Sequence, residues 1–268
     1  MHTNVETLFS NLWQDYVAMT PSAQKVHQLL GDGNELINDH VAFRTFNLDK
    51  VSLDKLAAHF LALGYEEKGQ YNFEQKKLKA KHFEHADETK PKVFISELLV
   101  EEFSPEVQAI IAKMVDAVPA DAVNKEDFLY SGTHWKVSSS EYQTLLNESE
   151  YAAWVSAWGF RANHFTVSLN HLKRFTMLAE VNDKLKEAGF ELNTSGGEIK
   201  GGPEVHLAQS STMADKMEVV FSDKSMVIPS CFYEFAQRFP LPNGKLYSGF
   251  VAASADKIFE STNANIAM

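Results

Sequence analysis

The sequence predicts an α+β fold in which two βαβββ modules curl around a shared cavity as an open barrel. Two observations predict it. The order strand, helix and three further strands occurs twice, and the strand segments are rich in β-branched and aromatic residues. A helical arm precedes the first module, and a helical insertion separates the two. We expect the single domain of 1–268 to divide into arm, first module, connection, second module and C-terminal segment at 1–36, 37–101, 102–158, 159–240 and 241–268.

The arm and the first module follow from local signals. Helical spacing of apolar residues over 5–30 is interrupted by Pro21, which predicts two helices. A strand is expected at 40–46, where β-branched and aromatic residues are frequent. The amphipathic segment 49–63 predicts a helix that ends at Gly64, since glycine readily adopts the left-handed conformation. The three remaining strands of the module are expected at 69–78, 79–85 and 92–98.

The second module begins after a stretch, 104–158, of helical and loop character. Its first strand, 163–169, has the cleanest alternation of apolar and polar residues in the chain, and His164 lies on the polar face. A helix at 175–188 is expected to end at Gly189. The other strands of this module are expected at 196–209, 216–222 and 230–236.

Composition argues against several classes of function. The 25 Lys and Arg residues against 36 Asp and Glu give a net charge of −11, which disfavours binding to nucleic acid. No apolar run approaches the ~18 residues of a membrane span, and the first residues lack a signal-peptide pattern, so we expect a cytoplasmic protein without membrane contact. The single cysteine, Cys231, excludes an intrachain disulfide and a thiolate-rich zinc site. Any metal must therefore be bound mainly by His, Asp and Glu.

Each module carries a histidine on its first strand and a carboxylate on its last. The histidines are His40 and His164, and the carboxylates are Glu97 and Glu234. Two imidazoles and one carboxylate on a concave wall can form the two-His-one-carboxylate triad, which leaves positions on iron open. Arg44 shares a strand face with His40 and could contact a ligand held there.

Each of these residues also has an interpretation without a functional role. His40 could bond a backbone carbonyl, and His164 could face solvent. Glu234 would be costly to bury unless it were paired, for instance with Arg238. Glu97 is expected to support a ligand or to form a salt bridge rather than to bind metal. The sequence contains no G-x-S-x-G elbow, Walker loop or H-E-x-x-H motif.

Several segments resemble the 2-oxoadipate dioxygenase/decarboxylase family. They are 40–46, 93–98, 163–166, 209–212 and 233–238. The H-x-A-x-R and Y-E-F-x-x-R pieces are specific in combination, and the resemblance covers nearly the whole chain. The fold of this family is related to the vicinal-oxygen-chelate group, which is built from paired βαβββ modules, and this agrees with the pattern.

The resemblance implies a ligand set and an activity. It places the metal ligands at His40, His164 and Glu234, and it implies Fe(II), although another divalent metal could be bound as isolated. The implied reaction converts 2-oxoadipate and O₂ to D-2-hydroxyglutarate and CO₂, as in lysine catabolism. The expected partners are therefore a 2-oxo dicarboxylic acid and O₂, and a homodimer is compatible with the sequence.

The resemblance also implies that Arg44 binds a substrate carboxylate, which we expect to be the one beside the 2-oxo group. Gln209, Ser211 and the segment 247–253 are expected to line the cavity.

Two other functions stay open at this stage. The scaffold could hold a redox-inert ion as an isomerase, lyase or hydrolase, with Glu97 or His206 as the general base. Alternatively, the chain could bind a small molecule without catalysis. Glu97, His206 and Arg238 are also the candidates for residues that support the ligands.

Overall fold

The N-terminal arm and the first module account for the first third of the chain. The protein is described by a computed structural model that covers residues 1–31, 33 and 35–264. The helices of the arm are α1 (Val5–Met19) and α2 (Pro21–Gly31). The first module consists of β1 (Asn38–Phe46), α3 (Leu53–Leu61), β2 (Tyr65–Phe73), β3 (Leu78–His85) and β4 (Lys92–Leu98).

Helices connect the first module to the second. The connection contains α4 (Pro105–Asp116), α5 (Ser139–Glu148) and α6 (Glu150–Trp158). The second module contains β5 (Ala162–Ser168), α7 (Leu178–Glu187), β6 (Lys200–Gly202), β7 (Leu207–Ser211), β8 (Lys216–Val220), β9 (Ser225–Pro229) and β10 (Phe232–Arg238). The C-terminal segment contains α8 (Ala252–Ile258) and a 3₁₀ turn at Phe259–Thr262.

Eight strands form one sheet in the order β2-β3-β4-β1-β5-β10-β7-β6. Within each module the first and last strands pair in parallel, β1 with β4 and β5 with β10. The modules join through the antiparallel pair β1 and β5. Each half of the sheet therefore has the same strand order from the centre to the edge, with the first strand of the module innermost and its last strand next to it. The predicted fold class, two βαβββ modules in an open barrel, is confirmed.

Three strand predictions are wrong, and the first two concern the position of a hairpin turn. The first hairpin turns at Glu74–Lys76, followed by Lys77 with φ of 53°, rather than between 78 and 79. The predicted strand 196–209 is two strands, β6 and β7, separated by a turn at Pro203–Val205 and by His206 with φ of 59°. Both modules therefore use the same hairpin, a 3₁₀ turn that ends in one left-handed residue.

The predicted strand 216–222 does not belong to the main sheet. It is β8, which pairs with β9 in a separate two-stranded sheet. The third strand that completes the module is therefore β10, and β8 and β9 are an inserted hairpin.

Helix α6 holds the centre of the sheet in place. The Tyr151 hydroxyl accepts a hydrogen bond from the Thr45 amide at 3.0 Å and donates to the Ser96 carbonyl at 2.8 Å, which ties β1 to β4. The Trp154 and Trp158 indoles donate to backbone carbonyls just before β10. These bonds satisfy buried polar groups while the rings fill the core, so the strands that carry the candidate ligands are fixed from behind.

Within the described residues, no helix is both long and apolar enough to cross a membrane.

Candidate metal centre

The pairing of β1 with β5 contains two irregularities at symmetric places. Between Asn38 and His40 the register shifts by one, so Asp39 is an extra residue on β1. Between Ala162 and His164 the same shift makes Asn163 the extra residue on β5. A bulge of this kind turns a side chain away from strict alternation. Each bulge precedes one of the two candidate histidine ligands.

His40, His164 and Glu234 come together at the centre of the sheet. One ligand atom from each lies within 4.8 Å of the others, and all three side chains are buried. The Nε2 atom of His164 is 3.0 Å from Glu234 Oε2, and that of His40 is 3.7 Å from Oε1. The predicted triad is therefore assembled, and neither a solvent-exposed His164 nor an ion pair between Glu234 and Arg238 is found.

The two bulged residues orient the histidine rings. Asp39 Oδ1 lies 2.8 Å from His40 Nδ1, and Asn163 Oδ1 lies 3.0 Å from His164 Nδ1. Carboxylate and amide oxygens only accept hydrogen bonds, so both Nδ1 atoms donate. When Nε2 carries no proton, each ring presents the lone pair of that atom to the centre, which is the usual arrangement of a histidine that binds metal.

The electrostatics favour an ionised carboxylate between the rings. Burial alone would raise the pKa of Glu234, but His40 and His164 outweigh burial and lower it to about 2. For His40, burial lowers the pKa, but Glu234 and Asp39 outweigh burial and raise it above its ordinary value. Burial lowers the pKa of His164, and Glu234 offsets this only in part. The cluster thus contains one anion in position to balance a bound cation.

Further side chains fix the carboxylate and the rings. Gln209 Nε2 donates to Glu234 Oε1 at 2.6 Å, and Gln209 is part of the cavity lining. Thr166 Oγ1 is 3.0 Å from His40 Nε2. The Phe232 ring stacks on His164, and the Phe250 ring meets His40 edge to face.

Arg44 lies further along β1 on the same cavity. Its guanidinium is surrounded by the rings of Tyr151, Trp154 and Phe259, and Nη2 donates to Thr262 Oγ1 at 3.0 Å. The side chain is 1% exposed. Nε and Nη1 have no hydrogen-bond partner among the described residues, and the Glu150 carboxylate is 3.7 Å from Nη1. A buried guanidinium with two unused donors is a site for a carboxylate.

The C-terminal segment closes the cavity. We call residues 247–262 the cover. It contributes Phe250, Ala255, Ile258 and Phe259 to the lining, so the expectation that 247–253 line the cavity holds for Phe250. The enclosed volume is about 20 Å³, room for about one water molecule. A dicarboxylic acid does not fit in this volume.

Three residues singled out by the sequence lie elsewhere. Glu97 is on the opposite face of β4, where it accepts a hydrogen bond from the Leu53 amide at the start of α3. His206 ends the turn before β7, and its ring packs near Tyr247. Ser211 bonds to Ser261, so it holds the cover rather than lining the cavity.

The strand register explains why Glu97 and Glu234 are not counterparts. Glu234 pairs with Thr166, two residues after His164. The residue that pairs two positions after His40 is Phe94, which lines the cavity. The first module therefore has a phenylalanine where the second has its carboxylate.

Sequence reasoning missed Asp39 and Asn163. A signal for both was present, because an Asp or Asn directly precedes each histidine. Arg238, expected to support a ligand, does so indirectly, because it binds Asp39.

The fold and this cluster define a class: a protein of vicinal-oxygen-chelate type whose two modules together supply three side chains that could hold a metal ion. The family model for 2-oxoadipate dioxygenase/decarboxylase matches residues 3–246. The chain belongs to this family of enzymes.

Individual proteins agree with the family assignment. The chain is 36% identical to the chloroplastic 2-oxoadipate dioxygenase/decarboxylase of Arabidopsis thaliana, over 92% of this chain and 74% of the relative. A crystal structure of hydroxyglutarate synthase from Oryza sativa, in complex with 2-oxoadipate, is 36% identical with a TM-score of 0.90, over 97% and 92% of the two chains. A crystal structure from Shewanella frigidimarina, named as a candidate hydrolase, is 63% identical with a TM-score of 0.92, over 94% and 100%.

Proposed function

We propose that the chain is an Fe(II)-dependent dioxygenase/decarboxylase of a 2-oxo acid. The proposed reaction joins 2-oxoadipate and O₂ and gives D-2-hydroxyglutarate and CO₂. One observation carries the proposal: His40, His164 and Glu234, from three separate strands, meet as a buried ligand set. The rice relative bound to 2-oxoadipate supports the substrate.

The donor set suits iron(II). Two neutral imidazoles and one carboxylate make up the facial triad of non-heme iron oxygenases, which leaves positions for substrate and O₂. Bound there, iron would supply the chemistry of O₂ activation and oxidative decarboxylation. The protein's own contribution is to orient the ligands. Asp39 and Asn163 hold the rings, and Gln209 holds the carboxylate.

Arg44 gives the cavity its preference for an anionic substrate. Its Cα is about 13 Å along β1 from that of His40, at ~3.3 Å per residue. The aromatic rings and Thr262 around its guanidinium hold it at that far end. We therefore assign Arg44 to the distal carboxylate of 2-oxoadipate, rather than to the carboxylate beside the 2-oxo group as expected from the sequence.

The cover keeps bulk water away from the reacting atoms. Phe250 and Phe259 form apolar parts of the lining, between His40 at one end and Arg44 at the other. Excluding water strengthens the charge interactions of the bound acid and limits side reactions. Substrate binding would thus combine opening of the cover, capture by Arg44 and closure.

A hydrolase or isomerase is not favoured by the geometry. Such an enzyme needs a general base at the metal. The two bases expected for it, Glu97 and His206, both lie outside the cavity lining.

The test is oxygen uptake by the purified chain with added Fe(II) and 2-oxo acids of graded length. We expect uptake with 2-oxoadipate in a ratio of one O₂ to one CO₂ released. The His164→Ala variant should bind no Fe(II) and show no uptake. Conversion of 2-oxoadipate without O₂, or equal activity in the variant, would refute the proposal. The cytoplasmic location, the role in lysine catabolism and the homodimer stay predictions.

A further inference from the structure

Arg238 is a buried guanidinium that contacts two parts of the molecule at once. Its Nε and Nη2 donate to the two carboxylate oxygens of Asp39 at 2.7 and 2.8 Å. Its Nη1 donates to the carbonyls of Tyr247 and Gly249 at 2.9 and 2.8 Å. Arginine is suited to such a role, because its planar fork binds a carboxylate with two parallel hydrogen bonds. Arg238 thus joins β1 to the start of the cover.

The contacts of Arg238 continue to the candidate metal ligand. The same Asp39 oxygen that accepts from Nη2 accepts from His40 Nδ1. The Phe250 ring of the cover packs against both the Arg238 guanidinium, 5.2 Å from the ring centroid, and the His40 ring, at 4.8 Å. Contacts therefore run in a closed ring through four side chains, Arg238, Asp39, His40 and Phe250. The same contacts hold both the orientation of His40 and the position of the cover.

These four side chains also lie between two cavities of the protein. On their inner side lies the cavity lined by His40 and Phe250. On their outer side lies a cleft of about 610 Å³, lined in part by Asp39, Arg238 and Tyr247. The start of the cover therefore contributes to both spaces, through Phe250 to the cavity and through Tyr247 to the cleft.

We propose that Asp39 and Arg238 are positioning residues that couple the orientation of His40 to closure of the cover. The inference rests on the proposed metal site. When the cover is closed, the carbonyls of Tyr247 and Gly249 fix Arg238, which fixes Asp39 and hence His40. Since coupling between two sites is reciprocal, metal binding at His40 favours the closed cover by the same factor.

The second module provides a matched control. Asn163 orients His164 as Asp39 orients His40, but with a neutral amide. Its amide nitrogen has no hydrogen-bond partner among the described residues, so it makes no link of the Arg238 kind. A change at Asn163 should therefore weaken the metal site without uncoupling the cover.

The experiment uses Co(II) as a redox-stable, coloured probe of the full chain. Its affinity is measured by competition with a chelator, its ligand geometry by the visible absorption spectrum, and the cover by hydrogen exchange of residues 247–262. In the wild type, saturating Co(II) should slow exchange in the cover. In Arg238→Gln, Co(II) affinity should fall about 10–100-fold, and saturating Co(II) should no longer slow exchange there. In Asn163→Ala, affinity should fall similarly while exchange still slows.

Asp39→Asn keeps the proposal testable if Arg238→Gln does not fold. This change reproduces the Asn163 arrangement, so it should keep the Co(II) spectrum and reduce affinity less than tenfold. It should nevertheless lose the slowing of exchange in the cover. Wild-type affinity and wild-type protection of the cover in Arg238→Gln, or wild-type protection in Asp39→Asn, would overturn the coupling. Failure of the wild type to bind Co(II) would instead refute the metal site itself.

Discussion

Replacing Arg44 by methionine separates binding of the distal carboxylate from all other roles of this residue. Two of its donors, Nε and Nη1, have no hydrogen-bond partner among the described residues, and the Glu150 carboxylate lies 3.7 Å from Nη1. The two donors point to different sides of the guanidinium, so one carboxylate can use only one of them. Hydrogen bonds to charged groups contribute ~1.5–3 kcal/mol each. Losing one such bond should raise the free energy of the transition state by about 1.5–3 kcal/mol, which is a loss of roughly 10–150-fold in kcat/KM.

The assay compares two acids that differ only in the distal group. Oxygen uptake is measured with 2-oxoadipate and with 2-oxohexanoate, which has a methyl group in place of the second carboxylate. Arg44→Met should show the whole expected loss in kcat/KM with 2-oxoadipate. It should show little loss with 2-oxohexanoate, because this acid has no distal charge to bind. Metal affinity should stay unchanged.

The controls address folding. Burial raises the pKa of Glu150, so this carboxyl group can take up a proton when Arg44 is removed, which limits the cost to stability. Arg161→Met removes an arginine that pairs with Asp15 instead of lining the cavity, and it should keep full activity. An equal loss with both acids would place Arg44 at the carboxylate beside the 2-oxo group. No loss with either would remove it from substrate binding.

Three further predictions concern the metal, a buried lysine and a glycine. Removing a residue that only orients a metal ligand lowers metal affinity ~10–100-fold. Glu234→Gln removes a candidate ligand itself and should lower the affinity further. Wild-type metal content by elemental analysis would contradict this. Burial lowers the pKa of Lys200 to about 8, so its charge destabilises the fold below about pH 8, and this cost disappears as the pH rises toward the ordinary value of about 10.4. The free energy of unfolding of the wild type, from urea titrations, should therefore rise relative to Lys200→Met between about pH 7 and 10, and parallel curves would argue against it. Gly159 has φ of 69°, and a Cβ there would lie 2.1 Å from the Gly132 carbonyl oxygen, so Gly159→Ala should cost about 3 kcal/mol or more in urea unfolding. Gly189→Ala, with φ of 87° and no atom within 4 Å, should cost clearly less, and equal losses would exclude the steric explanation.

The positions of the two histidines could be predicted from simple periodicity, whereas the complete ligand set followed from the family resemblance. Strand alternation places His164 on the polar face of β5, and the order of elements places His40 and Glu234 on strands that meet at the middle of the sheet. Short strands rich in β-branched and aromatic residues can be recognised from the sequence, because the signal lies within each strand itself.

The residues that orient the ligands could not be predicted in the same way. Strict alternation would turn Asp39 and Asn163 away from the histidines that follow them, and only the bulges bring them to the same side. A bulge is set by pairing between distant strands, so the sequence of one strand does not reveal it. The same limit produced the wrong pairing of Glu97 with Glu234, since register decides which residues correspond.

The unequal halves of the sheet decide how many ligands an ion can have. The second half supplies both a histidine and a carboxylate, whereas the first half has Phe94 where a carboxylate would sit by symmetry. A perfectly duplicated barrel would offer a metal ion four protein side chains instead of three. Because Phe94 takes that position, a metal ion held by the three candidate ligands would keep this side open to small molecules in the cavity.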